Sequence, residues 1–255
     1  MKTIIHVLIV CSVLALLLSC KQEVGKTELL GDPAASTNTA LDEAGGSIGG
    51  SLAAKSCQTS TCTGSWDDVV DRLPLQDANF LAQMRQRYFG SVAYANEEER
   101  RFLEEAGFPS IHEWLEARSM SDEAIEAWAA TGDGKAMVFH IDRMIERASP
   151  YLHLRGHDDV AFHASTAPSY ALSAYEYSTR VQFTHRSPFT GYLLGAMFST
   201  LSFPQSAELA AAGILAAGDA GDPRATTFLA KYKADHRDMD EAAILAARRA
   251  LSVPR

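Results

Sequence analysis

The sequence predicts an all-α protein, with antiparallel helix pairs stacked as a short, irregular α-solenoid or a compact helical bundle. Three observations carry this expectation. From Trp66 onward the chain is built of Ala, Leu, Arg, Glu and aromatic residues at helix-like spacing, and few runs of Val, Ile and Thr could form strands. The candidate helices are bounded by capping residues and end at glycines. A short motif also recurs along the chain, as it does in proteins built from repeated helix pairs.

About eight to ten helices are expected from this pattern. The candidate segments are Asp77–Phe89, Asn96–Ala106, Ser110–Ala117, Asp122–Ala130, Lys135–Ala148, Asp158–Ser165, Pro168–Phe183, Thr190–Ser202, Ser206–Ala217, Pro223–Ala234 and Asp238–Leu251. Asn96 precedes Glu97, Glu98 and Glu99, an N-cap followed by acids that suit the positive end of the helix dipole. Ser121, Asp122 and Glu123 repeat that start. Pro168 and Pro223 fit first-turn positions, where a missing N–H costs nothing. Gly107, Gly132 and Gly221 fall where helices should stop.

The segment Lys135–Ala148 places Met137, Val138, Ile141, Met144 and Ile145 on one arc of about 120°. Lys135, Asp142, Arg143 and Glu146 fall opposite, and Phe139 lands among these charges, as expected of a helix that touches two neighbours. In Pro168–Phe183, Tyr170, Ala174, Tyr177 and Val181 share an arc of about 60° and are expected to face the core. Glu176 and Arg180 form an expected i,i+4 pair on the outside.

The recurring motif runs from Ala129 to Met137 and returns at Ala164–Leu172, about 35 residues later. A third copy begins at Gly221-Asp222-Pro223-Arg224-Ala225. Over roughly residues 120–235 the sequence resembles the Sel1-like and tetratricopeptide-like α-helical repeat families. The resemblance implies units of two helices joined by a short Gly-containing turn, with a small residue letting the partner helix approach. The junction residues it implies are Gly132, Asp133, Ala136, Ala171, Gly221, Asp222 and Ala225. The Tyr and Gly positions of a full Sel1 repeat are mostly missing, so a compact bundle stands beside a regular superhelix. In such a fold each helix pair hides one face and needs a neighbour to hide the other. The segments Asp77–Ala117 and Asp238–Leu251 are then expected to cap the stack with one polar face each. By architecture alone, such a fold suits binding of a protein or peptide over an extended surface.

Residues 1–20 point to export. Lys2 precedes an apolar run from Ile4 to Leu18, which ends in Leu17-Leu18-Ser19-Cys20. About 15 residues at roughly 1.5 Å each reach about 22 Å, short of a hydrocarbon core of about 30 Å. The Cys placed after a small residue resembles the lipobox of bacterial lipoproteins. That resemblance implies residues 1–19 as a signal peptide and Cys20 as the acylated N-terminus that holds the protein to a lipid bilayer. Lys21 in place of Asp, by resemblance to the enterobacterial sorting pattern, implies the outer membrane, periplasm-facing. Residues 20–65 are rich in Gly, Ala, Ser and Thr and contain no aromatic residue, and they are expected to form a flexible tether. About 45 such residues reach on the order of 35–40 Å. Residues 66–255 form the helical domain. Within the tether, Cys57 and Cys62 suit a short-loop disulfide in an oxidising periplasm; the alternative is a two-thiolate metal site, for which no neighbouring His or second CxxC exists.

The full chain carries 23 Lys and Arg against 32 Asp and Glu. Loss of residues 1–19 removes only Lys2, which leaves 22 against 32 and a mature charge near −10. Such a protein repels phosphate backbones, so no nucleic-acid partner is expected. His153, His157 and His163, with Asp158 and Asp159 between them, are the densest group of metal-type ligands, yet they lack a HExxH-like spacing. No GxSxG occurs, and the many carboxylates of residues 97–105 read as a solvated face balanced by Arg100 and Arg101. No metal, cofactor or catalytic residue is therefore expected. The functional expectation is a lipid-anchored periplasmic protein that binds another protein, as a scaffold or as the neutraliser of a toxin. An envelope assembly factor without a toxin partner is the alternative, and a cell-wall-active hydrolase the third class.

Overall fold

The computed structural model describes residues 64–154, 158–201 and 206–251. The predicted signal, Cys20, Cys57, Cys62, nearly all of the tether and His157 lie outside the described residues. Among those described, all secondary structure is helical. The elements are α1 (Trp66–Val70), α2 (Leu75–Arg87), α3 (Glu97–Glu105), α4 (Ile111–Ser119), α5 (Asp122–Ala130), α6 (Gly134–Ala148), a 3-10 turn (Ser149–Leu154), α7 (Asp159–Ala164), α8 (Ala167–Thr184), α9 (Pro188–Leu201), α10 (Ser206–Asp219), α11 (Ala225–Asp235) and α12 (Glu241–Leu251).

Helix starts follow the local capping chemistry. Asn96 accepts the Glu99 N–H, Ser121 accepts that of Ala124, and Asp133 accepts that of Ala136. Ser110 and Glu113 form a reciprocal capping box, as do Ser65 and Asp68. Each such cap stabilises its helix by about 1 kcal/mol. The helix count exceeds the expectation partly because α1 is held by its capping box, a signal that Ser65-x-x-Asp68 carried in the sequence. Pro223 departs from expectation too. It lies outside α11, whose entry is closed by Asp222 accepting the backbone N–H of Arg224.

Helix α6 lies at the centre, against α5, α8 and α9. Met137, Val138, Ile141, Met144 and Ile145 are buried, and Phe139 faces a second neighbour through Trp114 and Trp128. Asp142 does not join the solvated face that periodicity predicted. It is 5% exposed because Arg87 and Tyr88 of the α2 end reach it. In α8, Ala174, Tyr177 and Val181 are buried as expected. The expected Glu176–Arg180 pair does not form; the Arg180 guanidinium lies over the Tyr177 ring, 5.2 Å from its centroid.

The helices α9 and α10 approach so closely that no side chain fits between them. A Cβ on Gly213 would lie 2.5 Å from the Gly195 Cα, and one on Gly191 would lie 2.5 Å from the Ala217 backbone nitrogen. The stretch from α1 to α4 packs one side into the main core. Leu81, Met84, Tyr88, Leu103, Phe108 and Trp114 belong to the main core, where Tyr88 and Phe108 meet Phe189 of α9 at 5.0 and 5.1 Å. At the other end α12 packs on α10 through Ile244, Ala211 and Ala212, and its far side is exposed.

Arg224 ties the turn between α10 and α11 to the loop after α2 and to α3. It donates to the carbonyls of Ser91 and Ala93 and to Glu99, each at 2.9 Å, and to both oxygens of Asp222. Its guanidinium also stacks over Phe108 and Phe228. The Asp222 side chain is fully buried and takes a further hydrogen bond from Tyr192. Burial, reinforced by Asp222, pushes the Tyr192 hydroxyl far above its ordinary range.

Candidate functional site

A cleft of about 490 Å³ opens between α2, α4, α5, α6, the 3-10 turn and α8. Its floor is Trp114, Ile125 and Phe139, all buried. Phe80, Tyr151 and Tyr170 stand around the rim, and Arg118, Arg143 and Arg147 line the walls with Asp142 and Glu146.

Helix α6 supplies the polar wall because Asp142, Arg143, Glu146 and Arg147 fall on its i, i+1, i+4 and i+5 positions. The arginines are held in place by neighbouring helices. Arg118 bonds Asp77 at 2.9 Å and lies over Phe80 at 5.0 Å. Arg143 bonds Asp122 and the Ala117 carbonyl, and the Arg147 Nε bonds Asp122 at 3.0 Å. Burial works against the charge on Asp122, but the hydrogen bonds from Arg147 and Arg143 outweigh it and hold the carboxyl below its ordinary range. Arg147 remains half-exposed and bonds Asp122 through its Nε.

Beneath the wall, Asp142 Oδ1 accepts from Arg87 at 2.6 Å and from the Tyr88 hydroxyl at 2.5 Å. Burial opposes the charge on Arg87, yet Asp142 outweighs it and raises its affinity for the proton. Burial, with the Asp142 charge, also pushes the Tyr88 hydroxyl up. A carboxylate engaged in this way braces the wall. The floor is braced by stacking, with Trp114 5.7 Å from Tyr88 and 5.0 Å from Phe139. The Trp114 Nε1 is buried with no acceptor among the described residues. Arginine forks over an aromatic floor suit carbonyls, carboxylates and an apolar side chain presented together.

A more open groove of about 550 Å³ runs beside α8, lined by Glu126, Ser173, Tyr175, Glu176, Tyr177, Thr179 and Arg180. Ser173 Oγ lies 2.9 Å from Nε2 of His140, a buried residue whose ring packs against Tyr177 at 4.2 Å. This is the contact a nucleophile and its base would make. Ser173, however, sits inside α8, where the helix ladder takes up the surrounding backbone N–H groups. A developing oxyanion there finds no backbone donors.

The residues singled out in the sequence sit elsewhere. Gly132 and Gly221 have φ of 90° and 110°, the left-handed region that favours glycine, in the turns that follow α5 and α10. Asp133 caps α6, Asp222 anchors Arg224, and Ala136 and Ala225 are buried, whereas Ala171 is half-buried within α8. None of these residues lines the cleft. Sequence reading missed the cleft residues because they come from five helices and a turn and share no motif. Comparison with protein-family models, curated proteins and solved structures found no match.

Proposed function

We propose that this chain is an outer-membrane lipoprotein, facing the periplasm and anchored through acylated Cys20, whose helical domain binds another protein without catalysing a reaction. The lipobox-like Leu17-Leu18-Ser19-Cys20 and the Gly- and Ser-rich residues that follow support the anchored placement. The binding reading rests on the cleft, where a floor of Trp114 and Phe139 lies under Arg118, Arg143 and Arg147, because Trp, Tyr and Arg dominate the energetics of protein interfaces. Degenerate Sel1-like or tetratricopeptide-like repeats are part of the same proposal. They are supported by the matching Gly-Asp-x-x-Ala junctions at Gly132–Ala136 and Gly221–Ala225.

One experiment tests both parts. A photo-crosslinking residue replaces Tyr151, at the cleft rim, in the full-length protein expressed in its native envelope, and the irradiated material is analysed by mass spectrometry. The expected result is an acylated Cys20 and one dominant protein adduct, lost on Arg147→Glu and absent when the probe replaces the exposed Arg237. A secreted antibacterial toxin as the adduct would assign the neutralising role, and an envelope component the assembly role. An unmodified N-terminus sinks the anchoring, and adducts that ignore Arg147→Glu sink the cleft.

A further inference from the structure

Helices α6 and α8 close over an ionisable ring. His140 of α6 is only 2% exposed, and its two neighbours across the seam both belong to α8. Its Nε2 lies 2.9 Å from the Ser173 Oγ, and its ring packs on Tyr177 with centroids 4.2 Å apart. Its Nδ1 is buried and has no hydrogen-bond partner among the described residues. The neutral ring suits this seam, with the Nε2–H donating to Ser173 and a bare Nδ1. The charged ring does not, because both nitrogens then carry a hydrogen and the one on Nδ1 has no acceptor. A charged donor left unpaired in a dry contact is strongly disfavoured.

The surrounding elements do not reverse this. From α5, Glu126 and Asp122 favour the charged ring, but burial outweighs them and holds its proton affinity below the ordinary histidine value. Asp122 is already engaged by Arg143 and Arg147 of α6. From α8 comes Tyr177, with the Arg180 guanidinium over its ring. Helix α9 carries no charged residue, and its Tyr192 hydroxyl is given to Asp222. The ionisable residues of the 3-10 turn, Tyr151 and His153, are exposed. Parting of the seam would admit water to the ring and remove the cost of its charge. The consequence reaches both concave surfaces, because α8 lends Tyr170 to the cleft and Ser173 and Tyr177 to the groove.

We propose that the α6–α8 seam is a pH-sensitive clasp: neutral His140 holds α8 down, and its protonation releases residues 167–177, with Tyr170 at the cleft rim. The closed seam binds the proton less readily than the open one. The clasp is therefore intact above the ordinary histidine value of about 6.5 and is lost as pH falls below it. The device does not depend on what the cleft binds.

The test is amide hydrogen exchange, read by mass spectrometry on the full-length protein in detergent. It is run at about pH 7.5 and about pH 5, with rates corrected for the intrinsic pH dependence of exchange and with a series of urea concentrations below unfolding. In acid, residues 167–177 are expected to lose protection severalfold and to exchange well ahead of α10, with little response to urea, as a local opening does. In His140→Gln, whose side chain stays uncharged, the acid loss should disappear. Exchange of residues 167–177 in step with α10 and with the same urea slope would mean global unfolding alone and would overturn the clasp. An acid loss that persists in His140→Gln would do the same. A second measurement needs no variant: the His140 ring signal, assigned by its contact with Tyr177, is titrated by NMR. Its protonation should accompany the loss of protection, and a ring that charges while residues 167–177 stay protected would sink the proposal.

Discussion

Asp142 is a single carboxylate on which two helices depend. With Arg87 and Tyr88 both directed at its Oδ1, its removal strands a guanidinium that is only 19% exposed. Asp142→Ala should therefore destabilise the domain by about 3–5 kcal/mol in urea unfolding, while Asp142→Leu combined with Arg87→Met and Tyr88→Phe, which leaves no buried polar group unpaired, should recover most of the loss. His140 offers a second test. Burial depresses its affinity for a proton, against the pull of Glu126 and Asp122. The unfolded chain then binds that proton more readily, so the His140 contribution is intact above the ordinary histidine value of about 6.5 and is lost as pH falls below it. The urea midpoint should drop between about pH 7.5 and pH 5, and the drop should shrink in His140→Gln. The caps at Asn96 and Ser121 were readable in the sequence because their partners lie three residues away. The burial of Asp142 was not, because it depends on a guanidinium 55 residues distant.

At the scale of elements, the positions of the helices were legible because each carries its own period and stop signals. How closely they approach each other was not. Gly191, Gly195 and Gly213 lie inside helices, where glycine costs about 1 kcal/mol. In the fold they let α9 and α10 meet backbone to backbone. Gly213→Ala should thus cost about 1–3 kcal/mol despite the better helix former, because its Cβ has no room beside Gly195. A raised urea midpoint would contradict that contact.

At the scale of the domain, the helical character of the described residues followed from composition, whereas the cleft emerged only from the assembled fold. Its floor and walls are drawn from residues 80 to 170, and no short window contains enough of them to form a pattern. The Gly221-Asp222 turn was noticed as a likeness to Gly132-Asp133, but its partner Arg224 gave no sign in the sequence that it would grip Ser91 and Ala93.

That grip has a mechanical consequence. The Trp66 N–H donates to the Tyr94 carbonyl, and the two rings meet edge to face at 5.8 Å, one residue from the carbonyl that Arg224 holds. A pull on the chain ahead of Trp66 is therefore delivered to the loop after α2 and passed by one guanidinium to the turn between α10 and α11. Tension is thereby shared with a turn that lies 131 residues along the chain from Ala93.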